Sequence, residues 1–140
     1  MKKTIYSKYD KKLIPSLPRV LFEGKIEVVV SETEAEKAVD YLLSQPIIGL
    51  DTETRPSFKK GHTYTVSLLQ VASHDICFLL RLNYLKFSPS IKRLLEDTTV
   101  PKIGLSLHDD VKMLHKIGDF EPGHFIDLQD RVKEVGVEDM

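Results

Sequence analysis

Four apolar residues, Ile47, Ile48, Gly49 and Leu50, run unbroken into Asp51, Thr52 and Glu53. So short a run, without polar alternation, reads as a strand buried on both faces, as at the centre of an α/β sheet. Residues i and i+2 of a strand share a face, so Asp51 and Glu53 project together from its end. Open α/β sheets take their ligands outside the carboxyl ends of the strands. Two carboxylates side by side there repel each other unless a cation lies between them. The competing reading is a helix start or loop that carries two acids and needs no ion.

The flanking segments decide what kind of sheet this is. Ile26 to Val30 is a short β-branched strand. Ser31 and Glu34 have the spacing of a capping box, and Ala35, Ala38, Val39, Leu42 and Leu43 then form one helical face. Past a polar loop from Arg55 to His62, Val66 to Ala72 and Ile76 to Leu80 read as strands. The turn Ser73-His74-Asp75 between them is too short for anything but antiparallel neighbours. Ser88-Pro89 starts a short helix, with a cap and then proline at its first position, buried through Ile91, Leu94 and Leu95. Val100 to Leu105 is a strand, a helix with Asp109 and Asp110 near its start follows, and Gly118 stops it. Phe125 to Leu128 is a last strand, and Arg131 to Val135 reads as helical. The fold predicted is α/β: an antiparallel meander of the first three core strands, continued by parallel strands on one mixed sheet.

Helix phase separates the two acids. With Leu107, Val111 and Leu114 as the stripe facing the sheet, Asp110 lies at its edge and Asp109 nearly opposite. Asp110 is therefore the acid expected to turn towards the sheet, and Asp109 a solvated charge at the helix start.

Composition narrows the classes. The 140 residues suffice for one domain with a real core. A net charge of −1 provides no global attraction to nucleic acid, although bound metal supplies positive charge locally. The one cysteine, Cys77, excludes an internal disulfide and a multi-cysteine zinc site, and its apolar surroundings predict an inert buried thiol. The five histidines lack zinc spacing and read as surface or satisfied core residues. No apolar run approaches a membrane span, and the charged start has no apolar signal core. The expectation is a cytoplasmic protein with no membrane partner. Up to Lys25, seven basic residues stand against Asp10 and Glu23. Residues 1–24 therefore read as a basic arm, solvated or in contact with phosphates, ahead of a domain spanning 25–140.

At this point the residues resemble a family. Leu50-Asp51-Thr52-Glu53-Thr54-Arg55-Pro56 resembles the first motif, Asp-x-Glu-x-x-Pro, of the DEDD 3′–5′ exonucleases. Val66 to Ala72 is similar to the next strand of the ribonuclease D and Werner exonuclease branch. Ile103 to Leu114 resembles its second motif with Asp110 in register, and Phe125 to Leu128 the strand beyond. The resemblance implies a ribonuclease H-like three-layer αβα fold and two-metal phosphodiester hydrolysis with Mg²⁺ or Mn²⁺. It implies that Asp51 bridges both ions, that Glu53 holds the one carrying the nucleophilic water, and that Asp110 helps hold the other. Thr52 and Thr54 would lie near the terminal nucleotide. Arg55, Lys59, Lys60 and His62 would touch phosphates of a nucleic acid with a 3′ end, or form a solvated loop.

The sequence departs from the family in one respect. The third motif, Tyr or His followed by Asp, has no counterpart between Asp130 and Met140. The expectation is a C-terminally incomplete domain with weak or no activity, and self-association through the apolar surface so exposed. The alternative is a non-catalytic module that grips nucleic acid or a partner. An interaction domain with fortuitous acids is the third reading.

Overall fold

The structure, a computed structural model, describes residues 24–55 and 65–130. The arm preceding Gly24, the loop residues Lys59, Lys60 and His62, and the helix expected from Arg131 lie outside the described residues.

Strand β1 (Lys25–Val29) leads into α1 (Glu32–Leu42), and the capping box forms: the Glu34 backbone N–H donates to Ser31 Oγ at 3.3 Å. The Glu34 carboxylate in turn accepts from Ser31 Oγ at 3.0 Å. Ala35, Ala38, Val39 and Leu42 are buried, as their spacing predicts. β2 (Ile48–Arg55) extends well past the apolar tetrad because β3 (Thr65–Ala72) pairs along its whole length, as far as Arg55 opposite Thr65. β4 (Ile76–Arg81) completes the antiparallel meander. The thiol of Cys77 is half-buried, and that burial pushes its pKa up.

A four-residue helix, α2 (Leu82–Leu85), follows β4 directly. It has no side-chain cap to betray it in the sequence. In α3 (Pro89–Glu96), Ser88 Oγ caps the Ile91 N–H, and Ile91, Leu94 and Leu95 are fully buried. β5 is only Lys102–Gly104, shorter than the expected Val100 to Leu105. The Val100 N–H is taken by the Asp97 carboxylate at 2.8 Å, and Ser106, at φ 57°, turns the chain out of the sheet. α4 (Leu107–His115) and β6 (Phe125–Asp127) complete the order.

Among the described residues, six strands form one sheet in the order β1-β4-β3-β2-β5-β6. β1 runs parallel to β4, β5 to β2 and β6 to β5, so β3 alone runs against the rest. The carboxyl ends of β2, β5 and β6 therefore open on the same edge of the domain. α1 and α3 pack together, joined by Glu32 accepting from Ser90 and by Arg93 paired with Asp40 at 2.7 Å.

Lys102 has its side chain wholly buried, an outcome no local pattern announced. Its Nζ donates to Asp97 O at 2.6 Å and Val100 O at 3.3 Å, with the Asp97 carboxylate 3.9 Å away. Burial pulls the ammonium pKa down, against the pull of Asp97. Lys102 thus ties the C-terminal end of α3 to the start of β5, at the edge of the sheet opposite the acids.

Candidate active site

The difference in length between β2 and β5 creates the site. β5 pairs with β2 at Ile48 and Gly49 alone, so from Leu50 onward β2 has a strand neighbour on its β3 side only. The start of α4 fills that notch. Its approach is tight: a methyl at Gly104 would stand 2.3 Å from Leu50 O and 2.8 Å from the Leu107 side chain.

Ile48 and Leu50 are buried and Thr52, next on that face, is half-buried. Thr52 Oγ1 donates to Asp110 Oδ1 at 2.6 Å, which ties α4 to β2 across 58 residues of chain. Asp110 is thus the acid of the pair that turns to the sheet, and Asp109 is exposed, as helix phase predicts. The other oxygen, Asp110 Oδ2, is buried without a hydrogen-bond partner. Burial above all, and then the charges of Asp51, Asp109 and Asp127, push the Asp110 carboxyl above the usual range, against the Thr52 bond.

Asp51 and Glu53 occupy the alternate positions of β2 and are exposed. Asp51 Oδ1 accepts from the Thr52 N–H at 2.9 Å. The register of β2 against β3 shifts between Glu53 and Thr54, a bulge of the kind that re-aims side chains beside active sites. Thr54 is exposed, Arg55 ends the strand, and Lys59 and His62 lie outside the described residues. Among the described residues, one set of three acidic or histidine groups has its ligand atoms within 4.8 Å of one another. That set is His108, Asp127 and Asp130, rather than Asp51, Glu53 and Asp110. Strand alternation explains the spread of the first three: Thr52, not either acid, points at Asp110.

Asp127 supports the site from β6. Its Oδ1 accepts from the N–H groups of Ser106 and Gln129, each at 3.0 Å. Burial opposes ionisation of Asp127, but the N–H groups it bonds at Gln129 and Ser106, with the nearby backbone N–H of His108, outweigh it and hold the carboxyl below the usual range. Asp127 therefore fixes the left-handed turn at Ser106, and through it the direction in which α4 enters the notch. No local pattern singles out Asp127 within the Phe125 to Leu128 strand, because its partners Ser106 and Gln129 lie at the start of α4 and beyond β6.

A divalent cation fits the chemistry of this notch. The donors are all hard oxygens, and the orphaned Oδ2 of Asp110 is a buried acceptor that a cation would satisfy.

A family model described as 3′-5′ exonuclease matches residues 26–135. A curated 3′-5′ exonuclease of Arabidopsis thaliana is 28% identical over 116 residues, covering 74% of this chain and 40% of its own. The chain therefore spans less than half the length of that relative. The EXD2 exonuclease domain, in a crystal soaked in Mg and GMP, matches with a TM-score of 0.67 at 26% identity, over 79% of this chain and 60% of that one. The catalytic core of RRP6 from Trypanosoma brucei gives 0.74 at 15% identity, over 85% and 33%. RNase D of Trypanosoma brucei, in complex with RNA U12, gives 0.66 at 24% identity, over 77% and 39%. These last two likenesses speak for the fold.

Proposed function

The chain belongs to the 3′–5′ exonuclease family, the DEDD exonucleases of ribonuclease H-like fold, and from that premise we propose that it hydrolyses the terminal phosphodiester bond at the 3′ end of a nucleic acid. The observation that carries the reading is Asp110, with a buried orphan oxygen, tied to β2 through Thr52, the residue between Asp51 and Glu53.

Asp51, Glu53 and Asp110 are the residues that would hold divalent metal, Mg²⁺ or Mn²⁺. Bound there, the metal supplies charge stabilisation and an activated water for phosphodiester hydrolysis. The chain's own residues do the positioning. Thr52 holds one oxygen of Asp110 by hydrogen bond and leaves the other free. Asp127 sets the entry of α4, and the short β5 leaves the place beside β2 that the start of α4, with Asp110, takes. Thr54, Arg55, Lys59 and His62 are proposed to meet the terminal nucleotide and its phosphates. The RNA in the RNase D complex and the GMP soaked into EXD2 support a nucleic-acid substrate.

The test is a 5′-labelled single strand incubated with the protein and Mn²⁺, beside a circular strand of the same composition. A ladder that shortens from the 3′ end, absent on the circle and lost in Asp51→Ala, supports the proposal. Cleavage of the circle, or trimming that survives Asp51→Ala, refutes it.

A further inference from the structure

His108, Asp127 and Asp130 form a second constellation that the exonuclease reading does not use. His108 Nε2 lies 3.3 Å from Asp130 Oδ2 and 3.8 Å from Asp127 Oδ2. The set opens on a pocket of about 320 Å³ walled by Leu107, Val111, Pro122 and Phe125. Three groups that merely share a surface would carry no inference. What distinguishes this set is Asp127: its side chain is 4% exposed, its Oδ1 is fully engaged by two backbone N–H groups, and its Oδ2 has no hydrogen-bond partner.

A protonated imidazole does not account for the arrangement. It can donate to Asp130, but 3.8 Å is too long for a hydrogen bond to Asp127, so the buried oxygen stays orphaned. A metal ion satisfies all three groups at once. Zinc bonds of about 2.0–2.2 Å put neighbouring tetrahedral ligand atoms about 3.4 Å apart. The separations from His108 Nε2 are 3.3 and 3.8 Å, all three atoms lie within 4.8 Å of one another, and the exposed Asp130 side chain can swing to close the set. The outer shell is in place as well: the Ser106 and Gln129 N–H groups fix the Asp127 carboxylate, and Ser106 Oγ donates to Gln129 Oε1 at 3.1 Å.

We propose that His108 Nε2, Asp127 Oδ2 and Asp130 Oδ2 bind a borderline divalent cation such as Zn²⁺, at a site distinct from the Asp51, Glu53 and Asp110 carboxylates. One imidazole with two carboxylates is a donor set suited to zinc rather than to Mg²⁺. The fourth position faces the pocket and is open to water. The ion joins the first turn of α4 to the end of β6 and the turn that follows it, elements whose mutual position sets where Asp110 stands.

The test is a Zn²⁺ titration of the full chain, followed through long-range ¹H–¹⁵N correlations of the histidine rings and by calorimetry. The expected result is that one zinc ion shifts the His108 Nε2 signal, and that His108→Ala and Asp130→Ala each weaken binding at least tenfold. Both replaced side chains are mostly exposed, so the fold is retained. In Asp51→Ala the zinc-dependent shift of the His108 Nε2 signal is the same as in the wild type. Unmoved His108 signals at saturating Zn²⁺, undiminished affinity in His108→Ala, or loss of the His108 shift in Asp51→Ala would each overturn the assignment.

Discussion

Replacing Asp110 by Asn isolates the tension between stability and function at the notch. The Asn oxygen can still accept from Thr52, so the 2.6 Å bond that ties α4 to β2 is kept. The variant loses the half-buried charge and its repulsion by Asp51, Asp109 and Asp127. An unpartnered buried carboxylate oxygen costs more than a neutral polar atom in the same place, and the Asn amide nitrogen that replaces it keeps only the neutral part of that cost. Asp110 is only half-buried, so the difference is small, and Asp110→Asn should be about 1 kcal/mol more stable than wild type in chelator at neutral pH. The sign follows from the raised folded pKa. Below the unfolded value, about 4, both states are protonated and the advantage vanishes. It grows as the pH rises through the folded pKa and then levels off. Divalent metal should reverse the order. If the variant binds Mn²⁺ tenfold more weakly, wild type gains about 1.4 kcal/mol more from saturating metal. The deficit of the wild type in chelator then becomes a surplus, while trimming by the variant falls. Urea denaturation at several pH values, with chelator and with Mn²⁺, checks this. An Asn variant less stable in chelator, or equal shifts of both proteins by Mn²⁺, would refute the reasoning.

Other perturbations follow from single contacts. Gly104→Ala drives a methyl into Leu50 O and Leu107, and should cost about 1–3 kcal/mol in chemical denaturation. Ser31→Ala removes the cap of α1 and should cost about 1 kcal/mol on the same measurement. Lys102, buried and hydrogen-bonded, should resist acylation by an amine-reactive ester while exposed Lys86 is modified; mass spectrometry of the digest reads both.

What the sequence made legible was local. The Ser31 and Glu34 box, the Ser88-Pro89 start and the choice of Asp110 over Asp109 each depend on residues within one or two helical turns, and each has its counterpart in the structure. The meander was legible because a three-residue turn leaves no room for a crossover. The length of β2 was not, since pairing with β3 rather than its own apolar content carries it to Arg55. α2 is a single capless turn with no periodicity to detect. The Thr52 bond to Asp110, the buried Lys102 and the meeting of His108 with Asp127 and Asp130 join distant elements or depend on how several pack. No spacing rule on one element announces them.

The central claim is that Asp51, Glu53 and Asp110 serve as one metal-binding set. Paramagnetic Mn²⁺ titrated into the His108→Ala, Asp130→Ala double variant, with backbone amide signals followed by NMR, tests it most directly. The account predicts that the signals of Asp51 to Thr54 and of Asp110 broaden first and together, and that Asp51→Ala in the same background abolishes the effect. Early broadening elsewhere in the chain, with Asp51 and Asp110 untouched, would contradict it.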